Sequence, residues 1–288
     1  MDIENLLVIG SGAMGSQIGL VGALAGYDTT IQDVSTTALD KARAGLSERL
    51  ERNVEKNRTT REHADGAWQR LHFSTDLAAV APQADLVVEA AAENLDTKRT
   101  IFADLGRLTQ RHAILATNSS SIGSSQVAAA TGRPEKVCNM HFFNPALVMK
   151  CVEVVRHAKT SQDTVDTVLE VARSMGKSPV LINREIPGFV ANRLMGAIRD
   201  EALRLRADGI ASFEDIDTAA KSALGHPMGP FELMDLVGLD VSYQIRQSTF
   251  EETGDPADLP HPDLAAMYER GDYGRKTGKG WYEYQTEV

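Results

Sequence analysis

The sequence predicts two architectures in series: an α/β domain over residues 1–185, built on a parallel sheet, and an all-helical domain over residues 186–288. Three observations carry this. Short apolar runs alternate with amphipathic helical stretches through the first part, and such alternation folds most economically as a parallel sheet with right-handed crossovers. A glycine-rich turn, Gly10-Ser11-Gly12-Ala13-Met14-Gly15, joins the first apolar run to the first helical stretch. Beyond Ile186-Pro187-Gly188 the strand-like runs stop and only helical patterns remain.

In chain order, residues 6–9 form an apolar run closed by glycine, a buried strand. A helix then runs to about residue 25, where Gly26 is placed to end it. The β-branched Thr29, Thr30 and Ile31 form a second strand leading to Asp33. A long helix covers about 36–56, with Leu39, Ala42, Leu46, Leu50 and Val54 on one face. Strands at 85–89 and 113–117 flank a helix of about 93–105. Two further strand-like runs, 137–142 and 151–155, are separated by a turn containing Pro145; a helix of about 162–175 and a strand at 180–182 follow. In the second domain helices are predicted over about 189–207, 212–223 and 231–249, broken at Asp208-Gly209 and at His226-Pro227-Met228-Gly229-Pro230.

Composition narrows the function. The 288 residues are 42% hydrophobic and 24% charged, which suits a chain with a sizeable core and excludes a disordered or collagenous one. Lys and Arg number 30 against 40 Asp and Glu, a net charge of −10, so nucleic acid is not an expected partner. The two cysteines, Cys138 and Cys151, fit neither a disulfide scaffold nor a metal motif, and point to a reducing, cytoplasmic compartment. Met1-Asp2-Ile3-Glu4-Asn5 has no basic character and the apolar run after it is short. Neither a signal peptide nor a membrane partner is expected.

Gly10, Gly12 and Gly15 form G-x-G-x-x-G, which permits a tight turn and a close approach of backbone N–H groups to a pyrophosphate at a helix N-terminus. A strand precedes it, a helix follows, and Asp33 ends the next strand 18 residues after Gly15. That is near the spacing at which a carboxylate accepts hydrogen bonds from an adenine ribose. The first domain is therefore read as a Rossmann-type dinucleotide-binding domain, and a carboxylate that repels a 2′-phosphate selects NAD over NADP. A tight turn beside a solvated aspartate is the competing account.

Asn118-Ser119-Ser120-Ser121 follows a buried strand, where ligands bind in open α/β sheets. The same serines also suit an N-cap for a helix starting near Ile122. His141 and Glu153 each interrupt an apolar strand-like run. A carboxylate there is costly unless paired. If the two strands pair across the Pro145 turn, the groups meet, as a structural pair or as a base whose tautomer the carboxylate fixes. On the 36–56 helix, Arg49, Arg52 and Lys56 form a basic stripe beside Glu48, Glu51 and Glu55. Clustered cations on an acidic chain suit a polyanion; a solvated face with i,i+4 ion pairs is the alternative.

Taken together these segments resemble the L-3-hydroxyacyl-CoA dehydrogenase family, bacterial 3-hydroxybutyryl-CoA dehydrogenases in particular. The resemblance is carried by Val8-Ile9 with the glycine turn, Glu89-Ala90-Ala91-Ala92-Glu93-Asn94, Asn118-Ser119-Ser120-Ser121 and His141-Phe142-Phe143-Asn144-Pro145. It continues with Pro187-Gly188-Phe189-Val190-Ala191-Asn192-Arg193, His226-Pro227-Met228-Gly229-Pro230 and Gly274-Arg275-Lys276-Thr277-Gly278-Lys279-Gly280. It implies an NAD-dependent oxidoreductase of fatty-acid metabolism, with a dimerising helical domain. His141 is then the general base for the 3-hydroxyl proton and Glu153 its partner, while Ser120 and Asn192 hydrogen-bond the reacting oxygen or substrate. Gly10, Gly12, Ala13, Met14, Gly15, Asp33, Glu93, Lys98, Ser120, Asn144 and Lys276 line the dinucleotide, and Arg49, Arg52 and Lys56 hold CoA. Lys98 and Lys276 rest on the resemblance alone, since a lysine is ordinarily a solvated surface residue. Leu147 and Cys151 stand where the family often has Pro and Leu, and both flank the His141–Glu153 turn. Two other functions share the fold: a carnitine or sugar-acid dehydrogenase of the same superfamily, and a non-catalytic dinucleotide sensor.

Overall fold

The computed structural model describes residues 2–285. The chain divides into two units, the first ending at Val190 and the second beginning at Ala191.

The first unit is an eight-stranded sheet with helices packed along it. Its strands are β1 (Asn5–Ile9), β2 (Asp28–Gln32), β3 (Leu71–Ser74), β4 (Leu86–Glu89), β5 (Ile114–Thr117), β6 (Val137–Phe142), β7 (Cys151–Val155) and β8 (Ser178–Ile182). They lie in the order β3-β2-β1-β4-β5-β6-β7-β8. Every neighbouring pair is parallel except β6 and β7, which run antiparallel with His141 opposite Glu153. The central strands are buried on both faces, as parallel sheets covered by helices must be. The crossovers are α1 (Ala13–Leu24), α2 (Thr36–Glu55), α3 (Arg61–Gln69), α4 (Leu77–Val80), α5 (Leu95–Leu108), α6 (Ser125–Ala128) and α7 (Gln162–Ser174).

Side-chain caps set several helix starts. Ser35 accepts from Ala38 N at α2, Asn94 from Thr97 N at α5 and Ser161 from Thr164 N at α7. The Asn94 cap places α5 two residues later than the predicted start at 93. Ser119 Oγ accepts from Ile122 N at 2.8 Å, but the chain does not turn helical there: α6 begins at Ser125. The stretch 61–74 forms α3 and β3, neither of which the apolar pattern predicts. Only Ala64 and Ala67 of α3 are buried, and β3 is an edge strand burying Leu71 alone.

The second unit has α8 (Ala191–Ala207), α9 (Phe213–Leu224), α10 (Pro230–Val237), α11 (Leu239–Thr253) and α12 (Pro262–Arg270). They enclose a core of Ala202, Leu203, Phe231, Met234, Leu239, Leu264, Met267 and Trp281. Two predictions change here. The helix expected over 231–249 is two helices, because Gly238 at φ +108° breaks the ladder between α10 and α11. The helix expected from 189 starts at Ala191, because Phe189 stands at φ +45° and cannot be helical. Helix α12 is an element the sequence reading lacked. The last described segment is fastened by two buried carboxylates. Asp217 accepts from Phe231 N, Glu232 N and Tyr282 Oη, and Asp235 accepts from Trp281 N, Tyr282 N and Tyr284 Oη. Among the described residues no helix is long and apolar enough to cross a membrane.

Candidate active site

Because β1, β4, β5 and β6 are mutually parallel, their C-terminal ends open on one edge of the sheet. The glycine turn follows β1. Gly10 has φ +98°, and a Cβ there would lie 2.7 Å from the Ala90 carbonyl oxygen; one on Gly15 would lie 1.9 Å from that of Gly10. A Cβ on Gly12, in contrast, would meet nothing within 4 Å. Two glycines thus serve the turn itself, and the third borders open space. Helix α1 starts here with no side-chain cap and no acidic residue in its first turn, so its N-terminal amides at Ala13 and Met14 suit an anion. Asp33 stands half-buried beside the turn. Its Oδ2 accepts from Ser11 N and Ser11 Oγ, both at 2.8 Å, and its Oδ1 from Ser35 N at 3.0 Å. Burial works to raise its pKa, but these hydrogen bonds outweigh it and hold the carboxyl below its ordinary range. The donor set of the turn, the bare helix end and the ionised acid fit a dinucleotide.

An ionic cluster, buried at Glu89 and Lys98 and open to solvent at Glu93, joins the ends of β4 and β5. Lys98, on α5, is 1% exposed and Glu89, at the end of β4, is wholly buried. Lys98 Nζ donates to both Glu89 oxygens, at 2.7 and 2.9 Å, and lies 3.2 Å from Glu93 Oε2. Glu89 also accepts from Ala91 N at 2.8 Å and Thr117 Oγ1 at 2.7 Å. Glu93 accepts from the hydroxyls of Ser119 and Ser121. Burial raises the Glu93 pKa, and the two serines and the Lys98 charge more than reverse it, so the net shift is downward. Lys98 is therefore no solvated lysine. The sequence reading missed Glu89 and Thr117 as members of this cluster. The signal was available: Glu89 ends an apolar strand, and a carboxylate there needs a partner as much as Glu153 does.

The β6–β7 hairpin brings the second pair together. His141 Nδ1 lies 2.9 Å from Glu153 Oε2, with the two side chains 7% and 1% exposed. Glu153 Oε1 accepts from Val190 N at 3.0 Å. The imidazole lies against two aromatic rings, Phe143 at 4.6 Å and Phe189 at 5.7 Å between centroids. Asn118 Oδ1 accepts from Phe142 N at 2.9 Å, tying the serine segment to the strand that carries His141. Ser120 and Asn144 are exposed, Ser120 on that segment and Asn144 on the turn after β6. Cys138 is buried in β6, and burial pushes its thiol up to about 12, so it is an inert core residue.

Arg49, Arg52 and Lys56 fall at the end of α2. Arg52 sits 3.7 Å from Glu48, the i,i+4 ion pair of a solvated face, whereas Arg49 and Lys56 make no ion pair within 4.0 Å among the described residues. Asn192 is the second residue of α8, and Lys276 pairs with Asp240 at 2.5 Å; both belong to the second unit.

Comparison with known proteins accounts for nearly the whole chain. Residues 5–186 match the family described as 3-hydroxyacyl-CoA dehydrogenase, NAD binding domain, and residues 188–284 match its C-terminal domain. The 3-hydroxybutyryl-CoA dehydrogenase of Clostridioides difficile is 40% identical over 97% of this chain and 99% of its own length. The mitochondrial hydroxyacyl-coenzyme A dehydrogenase of Homo sapiens is 38% identical over 98% and 92%. The crystal structure of 3-hydroxybutyryl-CoA dehydrogenase from Escherichia coli superposes with a TM-score of 0.92 at 38% identity. That match covers 100% of this chain, which spans 61% of the Escherichia coli chain. The chain belongs to the 3-hydroxyacyl-CoA dehydrogenase family.

Proposed function

We propose that this protein is an NAD-dependent dehydrogenase that interconverts L-3-hydroxyacyl-CoA and 3-oxoacyl-CoA, with a short acyl chain such as 3-hydroxybutyryl. The observation that carries the proposal is the His141–Glu153 pair, buried at the same sheet edge as the glycine turn and Asp33. The dinucleotide supplies the chemistry of taking a hydride from C3. The protein's own task is the proton. Nδ1 of His141 faces a carboxylate, so its hydrogen is held there and Nε2 is left to accept the proton of the 3-hydroxyl group. Glu153 then stabilises the imidazolium that forms. Ser120 and Asn192 are assigned to the reacting oxygen and the substrate. Gly10, Gly12, Ala13, Met14, Gly15, Asp33, Glu93, Lys98, Asn144 and Lys276 are assigned to NAD, and Arg49, Arg52 and Lys56 to the phosphates of CoA.

The test follows NADH absorbance with acetoacetyl-CoA, then with free acetoacetate and with a sugar acid. Turnover restricted to the CoA ester supports the proposal. Turnover of a sugar acid without the ester sinks it, and binding of NADH without any turnover leaves a sensor. The helical unit exposes Leu194, Met195, Ile198, Leu236, Val237 and Ile245, and we assign this apolar surface to a homodimer. Light scattering at micromolar protein tests that assignment; a mass of one chain would end it. Two free thiols agree with a reducing compartment such as the cytoplasm.

A further inference from the structure

The chain leaves the first unit through Gly188-Phe189-Val190, and this segment is wrapped around the histidine–glutamate pair. Gly188 has φ +71° and Phe189 has φ +45°, two left-handed residues in a row, the second of them bulky. That backbone suits glycine and is unfavourable for phenylalanine, so the surrounding structure must hold it. What it gains is geometric. The Phe189 side chain, 2% exposed, packs with Val155 and Ile182, and its ring is tilted 59° against the His141 imidazole at 5.7 Å. One residue on, the Val190 amide donates to Glu153 Oε1 at 3.0 Å, while Glu153 Oε2 holds His141 Nδ1 at 2.9 Å. The left-handed turn thus delivers a ring to the base and an N–H to its carboxylate from adjacent residues. With Phe143 at 4.6 Å, two aromatic rings lie against the imidazole.

We propose that Phe189 is a positioning residue: its strained backbone keeps the ring against His141, so that the imidazole cannot swing off Glu153 and water does not reach the pair. This rests on the assignment of His141 as the group that moves the proton. A residue of this kind acts on the populated orientation of the base and leaves substrate binding alone, so its loss falls on kcat.

The experiment compares Phe189→Ala, Phe189→Gly and Phe189→Leu with wild type and with His141→Ala. It measures kcat and KM for acetoacetyl-CoA, NADH affinity by fluorescence, the thermal midpoint, and the Nδ1–H signal of His141 by NMR in the free protein. Phe189→Ala is expected to lower kcat by about 10- to 100-fold, a part of what general acid–base catalysis is worth. NADH affinity and KM should stay within about twofold, and the Nδ1–H signal should be lost to exchange with water. Phe189→Leu, which refills the apolar volume, should recover part of kcat and of the signal. Phe189→Gly separates position from stability. Glycine suits the left-handed backbone, so this variant should melt no lower than Phe189→Ala and yet be equally slow. Wild-type kcat and an intact Nδ1–H signal in Phe189→Ala, with NADH bound normally, would overturn the proposal. So would a kcat that rises with the thermal midpoint from Phe189→Ala to Phe189→Gly, since the role would then be structural. If His141→Ala is fully active, the assignment of His141 falls and this proposal falls with it. If His141→Ala is inactive while Phe189→Ala is normal, only the proposal falls.

Discussion

Replacing Lys98 by methionine keeps the length and apolar stem of the side chain and removes only its charge. The ammonium is 1% exposed and contacts a carboxylate, Glu89, that is wholly buried. Without it Glu89 keeps two donors, the Ala91 amide and the Thr117 hydroxyl, and loses its countercharge. Breaking a buried pair by deleting one partner costs about 3–5 kcal/mol, because the other charge stays uncompensated. The two surviving donors place this case near the lower end. At about 2–4 °C per kcal/mol for a domain of this size, the thermal midpoint should fall by about 6–12 °C. Glu89→Gln combined with Lys98→Met removes both charges and should recover much of that fall, since no buried charge is left unpaired. Lys98 also stands 3.2 Å from Glu93, so Lys98→Met should weaken NADH binding while the double variant restores the fold without restoring that contact. Thermal melts by circular dichroism and NADH titrations read the two effects separately. A Lys98→Met midpoint within about 2 °C of wild type, or a double variant no more stable than the single, would refute the reasoning.

Other substitutions bear on the chemistry and on selectivity. Glu153→Gln keeps the shape at Oε2 and removes the charge that stabilises the imidazolium, so kcat should fall by about 10- to 1000-fold. Combined with His141→Ala it should cost little more than His141→Ala alone; additive losses would make Glu153 structural. Asp33→Ser should narrow the preference for NADH over NADPH, read as the ratio of kcat/KM values, and a wild type indifferent to the two cofactors would contradict the role given to Asp33. Arg49, Arg52 and Lys56 changed together to Ala should raise KM for acetoacetyl-CoA and leave kcat nearly intact, because remote phosphate contacts are equal in ground and transition states. In the wild type that KM should also rise with salt, and an unchanged KM in the triple variant returns the helix to a solvated face. Asp33 and Glu93 both have lowered pKa values, so the stability they contribute is present above their unfolded values and is lost as pH falls through the folded ones. The midpoint should therefore drop below about pH 4.5, less steeply in Asp33→Asn.

The parts legible in the sequence were those where one physical demand left a periodic or isolated mark. A parallel sheet leaves apolar runs between helical stretches, and those placed β1, β2 and β4 to β7. A charge inside an apolar run demands a partner, and that singled out His141 and Glu153. The parts that failed left a faint mark or a misleading one. Helix α3 buries two alanines, too little for a stripe. The 231–249 pattern stays helical across Gly238, and only the backbone at φ +108° shows the break. Lys98 carried a signal that was passed over: it falls at i, i+4 and i+7 with Phe102 and Leu105, on the buried face of α5. Ser120 and Lys276 have no such mark, since an exposed polar residue has the same pattern whether or not it meets a ligand.

The reversal of one strand explains why the pair sits where it does. Successive parallel strands must be joined by a crossover, usually a helix, which would put the residue after β6 on the far side of a layer. The β6–β7 connection instead turns back within residues 143–150, so two side chains 12 residues apart fall directly opposite each other. Because β6 is still parallel to β5, its C-terminal end opens on the cofactor edge, and the reversed β7 begins there. The turn is tied down to match. Lys177, itself buried just before β8, donates to the carbonyls of Ala146 and Met149 at 2.5 and 2.9 Å, and Gln17 of α1 accepts from Leu147 N at 3.3 Å. The helix that begins at the glycine turn therefore also steadies the hairpin of the base. Lys177 lies among carbonyls and near Lys150, and burial first, then that neighbour, lowers its pKa. A cation held there at some cost in desolvation is better explained by the turn it closes than by stability, since backbone carbonyls alone compensate it poorly.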